Sequence, residues 1–215
     1  MSQRAPTFDA VIFDLGGVIF DSPLELITEF ERRNGLPEHL VARLVGGYGG
    51  EDGAWHRLER GEILLEAFCE LFDGDVKKAG HTFQTAQLMR EMSERAAVRP
   101  AMITAIGKLR ERGLKVAALT NNWVTDADYD SRMEPLREQF DVFVESCKVG
   151  LRKPDPRIYR LACERLGVLP ESAVFLDDIG GNLKAAKALG MATIKVGAPE
   201  AALSELGRVV GFSVT

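Results

Sequence analysis

The sequence has few cysteines, no excess of basic charge and no long apolar run. Its three cysteines, Cys69, Cys147 and Cys163, are odd in number and show no CxxC spacing. A disulfide framework and a structural zinc site are therefore both disfavoured. Acidic residues outnumber basic residues by 32 to 27, which gives a net charge of −5. Such a chain attracts a phosphodiester backbone only weakly, so we expect no nucleic-acid partner.

Apolar segments are short throughout the chain. No stretch approaches the roughly 20 apolar residues that a membrane-spanning helix needs, so we expect no membrane partner. The first ten residues, MSQRAPTFDA, lack the apolar centre of a signal peptide, which predicts a cytoplasmic protein. The 215 residues, 46% of them hydrophobic, suffice for one folded domain with or without an insertion.

The pattern of apolar residues changes twice along the chain. Residues 8–13 (FDAVIF) predict a buried parallel strand that ends in the turn sequence DLGG. From Ser22, with Pro23 at the first helical position, the pattern predicts helices near residues 23–34, 40–45, 63–71 and 83–95. The glycine-rich segment 46–50 predicts a mobile loop between two of these helices. Residues 21–97 are thus expected to form a helical unit.

Strand and helix patterns alternate after Pro100, where a helix over about 103–109 comes first. Strands are predicted at 115–119, 142–144, 173–176 and 193–196, and helices near 135–139, 156–166, 181–189 and 200–209. This alternation predicts the α/β class, with a doubly wound parallel sheet. We expect a core domain of residues 1–20 and 98–215 and a helical cap domain, residues 21–97, inserted after the first strand.

Polar side chains follow four of the predicted strands. They are Asp14, the pair Thr120 and Asn121, Lys153, and the pair Asp177 and Asp178. The carboxyl ends of parallel strands meet at one edge of the sheet, so these groups are expected to share one crevice. Three close carboxylates need a cation, and ligation by oxygen alone suits Mg²⁺. A carboxylate there can attack phosphorus, which predicts phosphoryl transfer.

These motifs, FDLGG, LTNN, KPDP and LDD in this order, resemble those of the haloacid dehalogenase (HAD) superfamily. Most of its members are Mg²⁺-dependent phosphatases with a Rossmann-like core. Within the superfamily, the chain is similar to phosphatase-like domains found at the N-terminus of larger fusion proteins. The resemblance implies that Asp14 is the catalytic nucleophile and that Thr120 and Asn121 hold the phosphate. It also implies that Lys153 is catalytic and contacts both the nucleophile and the phosphate.

The resemblance also implies a metal site. Asp14, the backbone carbonyl of Gly16 and Asp178 would hold Mg²⁺, with Asp177 acting through water or a neighbouring residue. Asn182, one helical turn further on, would brace the site.

Gly16 departs from the family pattern, because most of the family's phosphatases carry at this position an Asp that serves as general acid and base. Such help is worth about 10²- to 10⁴-fold in rate. The chain is then a slow phosphatase, or uses a substitute such as Asp21 or His56, or prefers good leaving groups such as acyl phosphates.

Trp55 and His56 follow the glycine-rich segment and are predicted to face the substrate; alternatively Trp55 lies in the core and His56 in solvent. The predicted function is hydrolysis of a small phosphorylated metabolite. Two alternatives stay open, a 2-haloacid dehalogenase and a phosphate- or metabolite-binding module with weak catalysis.

Overall fold

The computed structural model describes residues 8–47, 50–124 and 127–215, with the backbone alone for residues 46, 47 and 127–130. Five parallel strands form one sheet in the order β3-β2-β1-β4-β5. They are β1 (Ala10–Phe13), β2 (Lys115–Thr120), β3 (Val142–Glu145), β4 (Ala173–Asp177) and β5 (Ala192–Lys195). The central strand, β1, is completely buried, as expected for a strand that is covered on both faces. The predicted fold class is confirmed.

Of the described α-helices between β1 and β2, five lie within residues 21–97. They are α1 (Pro23–Arg33), α2 (Leu40–Gly47), α3 (Ala54–Glu59), α4 (Leu65–Lys78) and α5 (Thr85–Arg95). Their apolar faces pack around Phe30, Leu58, Phe68 and Phe72, in a cluster separate from the two clusters that cover the sheet. This separate packing supports the division into a core and an inserted cap domain, which stays a prediction. We call residues 21–97 the helical region.

The remaining helices cover both faces of the sheet. They are α6 (Pro100–Glu111), α7 (Ala127–Arg137), α8 (Ser146–Val149), α9 (Pro156–Leu166), α10 (Gly180–Ala188) and α11 (Pro199–Val210). Val11 and Phe13 face a layer that contains α6, α7 and α11, whereas Ala10 and Ile12 face α9 and α10. Alternate residues of a strand point to opposite faces, so every residue of β1 is buried in one of the two layers.

Three details of the predicted secondary structure were wrong. The helix expected at 135–139 is α7, which begins at Ala127 and carries Pro135 in its last turns rather than in the first turn, where proline is usual. Helix α2 continues through residues 46 and 47 of the predicted glycine-rich loop, and residues 48 and 49 lie outside the described residues. Helix α3 was not predicted, because a helix of six residues leaves too short an apolar pattern.

Over the described ranges, no helix is both long enough and apolar enough to cross a membrane.

Candidate active site

Asp14 stands at the end of the central strand, where the chain turns away from the sheet. Its backbone N–H donates to the carbonyl of Leu176 on β4 at 2.9 Å, which continues the sheet pairing by one residue. Its carboxylate Oδ1 accepts a hydrogen bond from the N–H of Leu15 at 2.7 Å. The residue is only 6% exposed, so both backbone and side chain are fixed at the sheet edge.

Lys153 joins two of the predicted carboxylates. It lies in the loop between α8 and α9, and its Nζ is 2.8 Å from Asp14 Oδ1 and 2.7 Å from Asp177 Oδ2. The side chain is 1% exposed. Burial alone would lower the pKa of Lys153, but the two carboxylates raise it, so the side chain is held as a cation. The structure thus brings Asp14, Lys153 and Asp177 together as predicted.

The carboxylate of Asp177 is saturated with hydrogen bonds. Besides Lys153, it accepts from the N–H of Ile179 at 2.7 Å and from Asn182 Nδ2 at 3.1 Å and 3.0 Å. Asn182 is itself fixed, since its backbone carbonyl accepts from the hydroxyl of Tyr159 at 3.0 Å. Asp177 has little capacity left for a metal. Asn182, which the family resemblance implies as a brace for the site, contacts Asp177 directly.

Asp178 is half-buried and much less engaged. Among the described residues, its side chain accepts only a long hydrogen bond, 3.5 Å, from Ser22 Oγ. Oxygens of Asp14, Asp177 and Asp178 lie within 4.8 Å of one another. Asp178 therefore keeps lone pairs free at the point where the three carboxylates meet.

Gly17 makes room for the carboxylate of Asp178. Its φ is +73°, and a Cβ built on it would lie 2.2 Å from Asp178 Oδ2, closer than any side chain can approach. The neighbouring Gly16 has a φ of −65° and a ψ of 129°, which any residue can adopt. A Cβ on Gly16 would lie 3.0 Å from Pro23 Cγ, so Pro23 takes up part of the space that a side chain would need.

The three carboxylates repel one another when they are ionised. Burial raises the pKa of Asp14 to about 8, and Asp177 and Asp178 add to the effect while Lys153 opposes it. Burial and the neighbouring Asp177 likewise raise the pKa of Asp178. A divalent cation among these oxygens would remove the repulsion, and a set of oxygen donors without sulfur or nitrogen suits Mg²⁺. The residues present therefore fit a magnesium ion.

Thr120 is the last residue of β2, and Asn121 follows it beside the loop of Lys153. The side-chain oxygen of Asn121 accepts from the N–H of Lys153 at 2.8 Å, and its Nδ2 donates to the Lys153 carbonyl at 3.0 Å. The Asn121 side chain thus holds the loop of Lys153, so a phosphate contact from this residue would use its backbone N–H. Among the residues that the structure describes, the Thr120 hydroxyl makes only a 3.5 Å contact with the Asn121 carbonyl. Their role in phosphate binding stays a prediction.

A cavity of about 510 Å³ lies between this sheet edge and the helical region. Asp14, Thr120, Lys153 and Asp178 line its floor. Most of the lining from the helical region is apolar: Pro23, Leu24, Leu26, Ile27, Val41, Ala42, Val45, Trp55, Met92 and Ala96. The site therefore combines a charged floor with largely apolar walls.

The predicted residues of the helical region have different positions. Trp55 lines the cavity but is 8% exposed, with its ring 5.5 Å from that of Phe68 and 5.8 Å from that of Phe72. His56 is not part of the lining. Asp21 lines the cavity, and its carboxylate lies 3.5 Å from Arg99 Nε. Of the two suggested substitutes for the missing acid, only Asp21 therefore faces the site.

Glu59 and Arg152 also line the cavity, and sequence reasoning missed both. Glu59, the last residue of α3, accepts from Arg152 Nε at 2.6 Å and from Trp55 Nε1 at 3.1 Å. The only local sequence feature that could have indicated Glu59 is its spacing from Trp55, one helical turn away. That spacing is informative only if α3 is already known to be a helix.

The chain belongs to the haloacid dehalogenase-like hydrolases, since a model of that family matches residues 8–190. It is therefore a hydrolase, as predicted. Among curated relatives, it is 39% identical to acyl-CoA dehydrogenase family member 10 of Mus musculus over 96% of this chain and 19% of that protein. It is 34% identical to bifunctional epoxide hydrolase 2 of Sus scrofa over 95% of this chain and 39% of that protein. The chain thus spans less than half the length of these relatives.

A third relative is similar in length to this chain. The phosphorylated carbohydrates phosphatase of Thermotoga maritima is 33% identical over 86% of this chain and 83% of that protein. Among solved structures, a HAD family enzyme from Bacteroides thetaiotaomicron in complex with magnesium and inorganic phosphate aligns with a TM-score of 0.59. It is 21% identical and covers 87% of this chain and 93% of that one, a likeness that shows the shared fold.

Proposed function

We propose that the chain is a Mg²⁺-dependent phosphatase that acts on a small phosphorylated metabolite through an aspartyl-phosphate on Asp14. The observation that carries this proposal is the buried Lys153, which bridges Asp14 and Asp177 beside the half-buried Asp178 at the floor of a cavity. A carboxylate nucleophile, a fixed cation and a cluster of free carboxylate oxygens are the parts that phosphoryl transfer to Asp requires.

Asp14 has one carboxylate oxygen available for attack. Oδ1 is occupied by Leu15 and Lys153, whereas no described residue donates a hydrogen bond to Oδ2. In the proposed route Oδ2 bonds to phosphorus as the bond to the leaving oxygen breaks. Water then attacks the same phosphorus, the bond to Oδ2 breaks, and inorganic phosphate leaves. Lys153 holds Asp14 in place and neutralises charge near the transferring group.

Asp14, the carbonyl of Gly16 and Asp178 would hold the magnesium ion, while Asp177 would orient Lys153 and Asn182 rather than bind the metal directly. When bound, Mg²⁺ supplies charge neutralisation to the phosphoryl oxygens. The Bacteroides structure of the same fold holds magnesium and inorganic phosphate, which supports a metal at this site, and the Thermotoga relative is a phosphatase, which supports phosphoryl transfer.

The walls of the cavity favour a particular kind of organic group. The side chains of the helical region that face the floor are largely apolar. A ligand therefore gains most binding free energy there when its organic part buries an apolar surface against them. We propose a phosphate ester or acyl phosphate whose organic part is largely apolar and fits within the 510 Å³ cavity.

A phosphate-binding module with little turnover is the second candidate. Gly16 favours it, because the general acid and base of the family's phosphatases is missing there and Pro23 lies against that position. A 2-haloacid dehalogenase is less well supported, because the adjacent Asp177 and Asp178 would repel each other in a site that works without a metal.

The test is steady-state hydrolysis of acetyl phosphate and p-nitrophenyl phosphate with Mg²⁺ or with a chelator. Turnover should require Mg²⁺ and be lost in Asp14→Asn, and acid-quenched protein should carry a phosphoryl group on Asp14. Asp155→Asn, which lies at the start of α9, serves as the control. The absence of both turnover and phosphorylated Asp14 would refute the phosphatase and favour the binding module.

A further inference from the structure

Glu59 connects the helical region to the loop that carries Lys153. Its carboxylate stands at the end of α3, is 11% exposed, and lines the cavity. Oε2 accepts from Arg152 Nε at 2.6 Å and, more weakly, from Asn121 Nδ2 at 3.4 Å. Oε1 accepts from Trp55 Nε1 at 3.1 Å. One buried carboxylate thus contacts residues of both regions.

Both core partners of Glu59 are directly connected to Lys153. Arg152 precedes it in the chain. Asn121 holds its backbone with two hydrogen bonds, 2.8 Å and 3.0 Å long. The position of Lys153 Nζ between Asp14 and Asp177 therefore depends on a loop that Glu59 fixes from the opposite wall of the cavity.

A second contact fixes the end of α3 against the core. Gly61 has a φ of +69°, and a Cβ built on it would lie 2.3 Å from the carbonyl oxygen of Cys147 in α8. The backbones are thus in close contact two residues beyond Glu59. Since Trp55 also fixes the carboxylate from within α3, Glu59 is a rigid support.

We propose that Glu59 is a positioning residue that keeps Lys153 in line with Asp14 and Asp177, by way of Arg152 and Asn121. The inference rests on the proposed phosphatase function and assigns to the helical region a part in the phosphoryl-transfer step. Removing the carboxylate leaves Arg152 without its hydrogen-bonded counter-ion in a partly buried position, and a guanidinium there shifts toward other acceptors. The adjacent loop would then shift and move Lys153 Nζ away from Asp14 and Asp177.

The first experiment compares Glu59→Gln with Glu62→Gln, a matched control that removes the same charge from an exposed residue paired with Arg60. With p-nitrophenyl phosphate and Mg²⁺, Glu59→Gln should lower kcat by about tenfold or more with little change in KM, since displacement of a group by about 1 Å can cost 100-fold. The Glu62→Gln variant should match wild type. Equal kcat values for the two variants would overturn the proposal.

The second experiment does not depend on turnover. Hydrogen exchange measured by mass spectrometry should show faster exchange in peptides covering residues 150–156 for Glu59→Gln, but not for Glu62→Gln. If wild type has no phosphatase activity, the proposed function fails, and this exchange comparison decides whether Glu59 fixes the loop. Unchanged exchange in the Glu59 variant would overturn the inference.

A third measurement covers the case in which Glu59→Gln does not fold. Arg152→Gln breaks the same contact from the core side and should slow turnover and speed exchange in the same way. Where both single variants fold, the double variant should be no slower than the slower of the two, because each already removes the shared interaction. Effects that multiply would show that Glu59 does not act through Arg152.

Discussion

Gly17→Ala is the substitution that tests the geometry of the proposed metal site most directly. The new Cβ would lie 2.2 Å from Asp178 Oδ2 and 2.4 Å from its Cγ, whereas non-bonded heavy atoms approach to about 3.5 Å. The carboxylate of Asp178 must therefore move by about 1 Å. A displacement of that size can cost about 100-fold in rate, and the left-handed backbone adds a stability cost of about 1 to 2 kcal/mol.

The control for Gly17→Ala is Gly113→Ala. Gly113 also has a positive φ, +82°, but a Cβ there meets no atom within 4 Å, so the variant incurs the backbone cost alone. Both variants should unfold at a lower urea concentration than wild type. Only Gly17→Ala should lose Mg²⁺ binding, measured by calorimetry, and Mg²⁺-dependent turnover. If the two variants bind Mg²⁺ equally well, the close approach of Gly17 to Asp178 does not shape the metal site.

Three further predictions use other parts of the molecule. Gly16→Asp should raise turnover of an alkyl phosphate by about tenfold or more while leaving turnover of acetyl phosphate nearly unchanged, since an acid helps a poor leaving group most. Adding Pro23→Ala should increase the gain, because it relieves the 3.0 Å contact with a Cβ at position 16. Equal gains on both substrates would contradict the role of Asp at position 16 as a general acid. Mg²⁺ at about 100 times its Kd should add about 2.7 kcal/mol to the free energy of unfolding, and an undiminished gain in Asp178→Asn would count against Asp178 as a ligand. Asp155→Ala should lower that free energy by about 1 kcal/mol at pH 7, because Asp155 caps α9 by accepting from the N–H of Arg157. The Arg157 guanidinium lowers the pKa of the Asp155 carboxyl. The contribution of Asp155 to stability is therefore fully present above the usual Asp pKa of about 3.9 and is lost as the pH falls through the lower pKa of the folded state. Urea unfolding that shows an equal difference between variant and wild type at pH 7 and pH 2 would refute this pH dependence.

The sequence predicted the elements whose signals are local. Helix α9 was expected over 156–166 and spans Pro156–Leu166, with Asp155 capping its start. The meeting of Asp14, Lys153 and Asp177 also followed from the sequence, since parallel strands place their carboxyl ends at one edge. The lack of nucleic-acid partners stays a prediction from the net charge.

Features that depend on contacts between distant segments could not be predicted. The contact of Gly16 with Pro23, the approach of Gly17 to Asp178 and the bond from Glu59 to Arg152 join residues that no periodicity relates. The true start of α7 was missed because Pro135 resembles a helix start locally. In each case the packing of one segment on another decided the outcome.

The central position of β1 has a consequence for the order in which the protein matures during synthesis. β1 ends at Phe13 but pairs with strands that begin at Lys115 and Ala173, and the cation of the site comes from residue 153. A nascent chain therefore carries Asp14, the proposed nucleophile, long before the strands that pair with β1 have left the ribosome. Pairing over such separations is slow. Ribosome-bound fragments that end before residue 177 would hold Asp14 without Asp177 and Asp178, so the proposed reaction with phosphate esters would become possible only after β4 has joined the sheet.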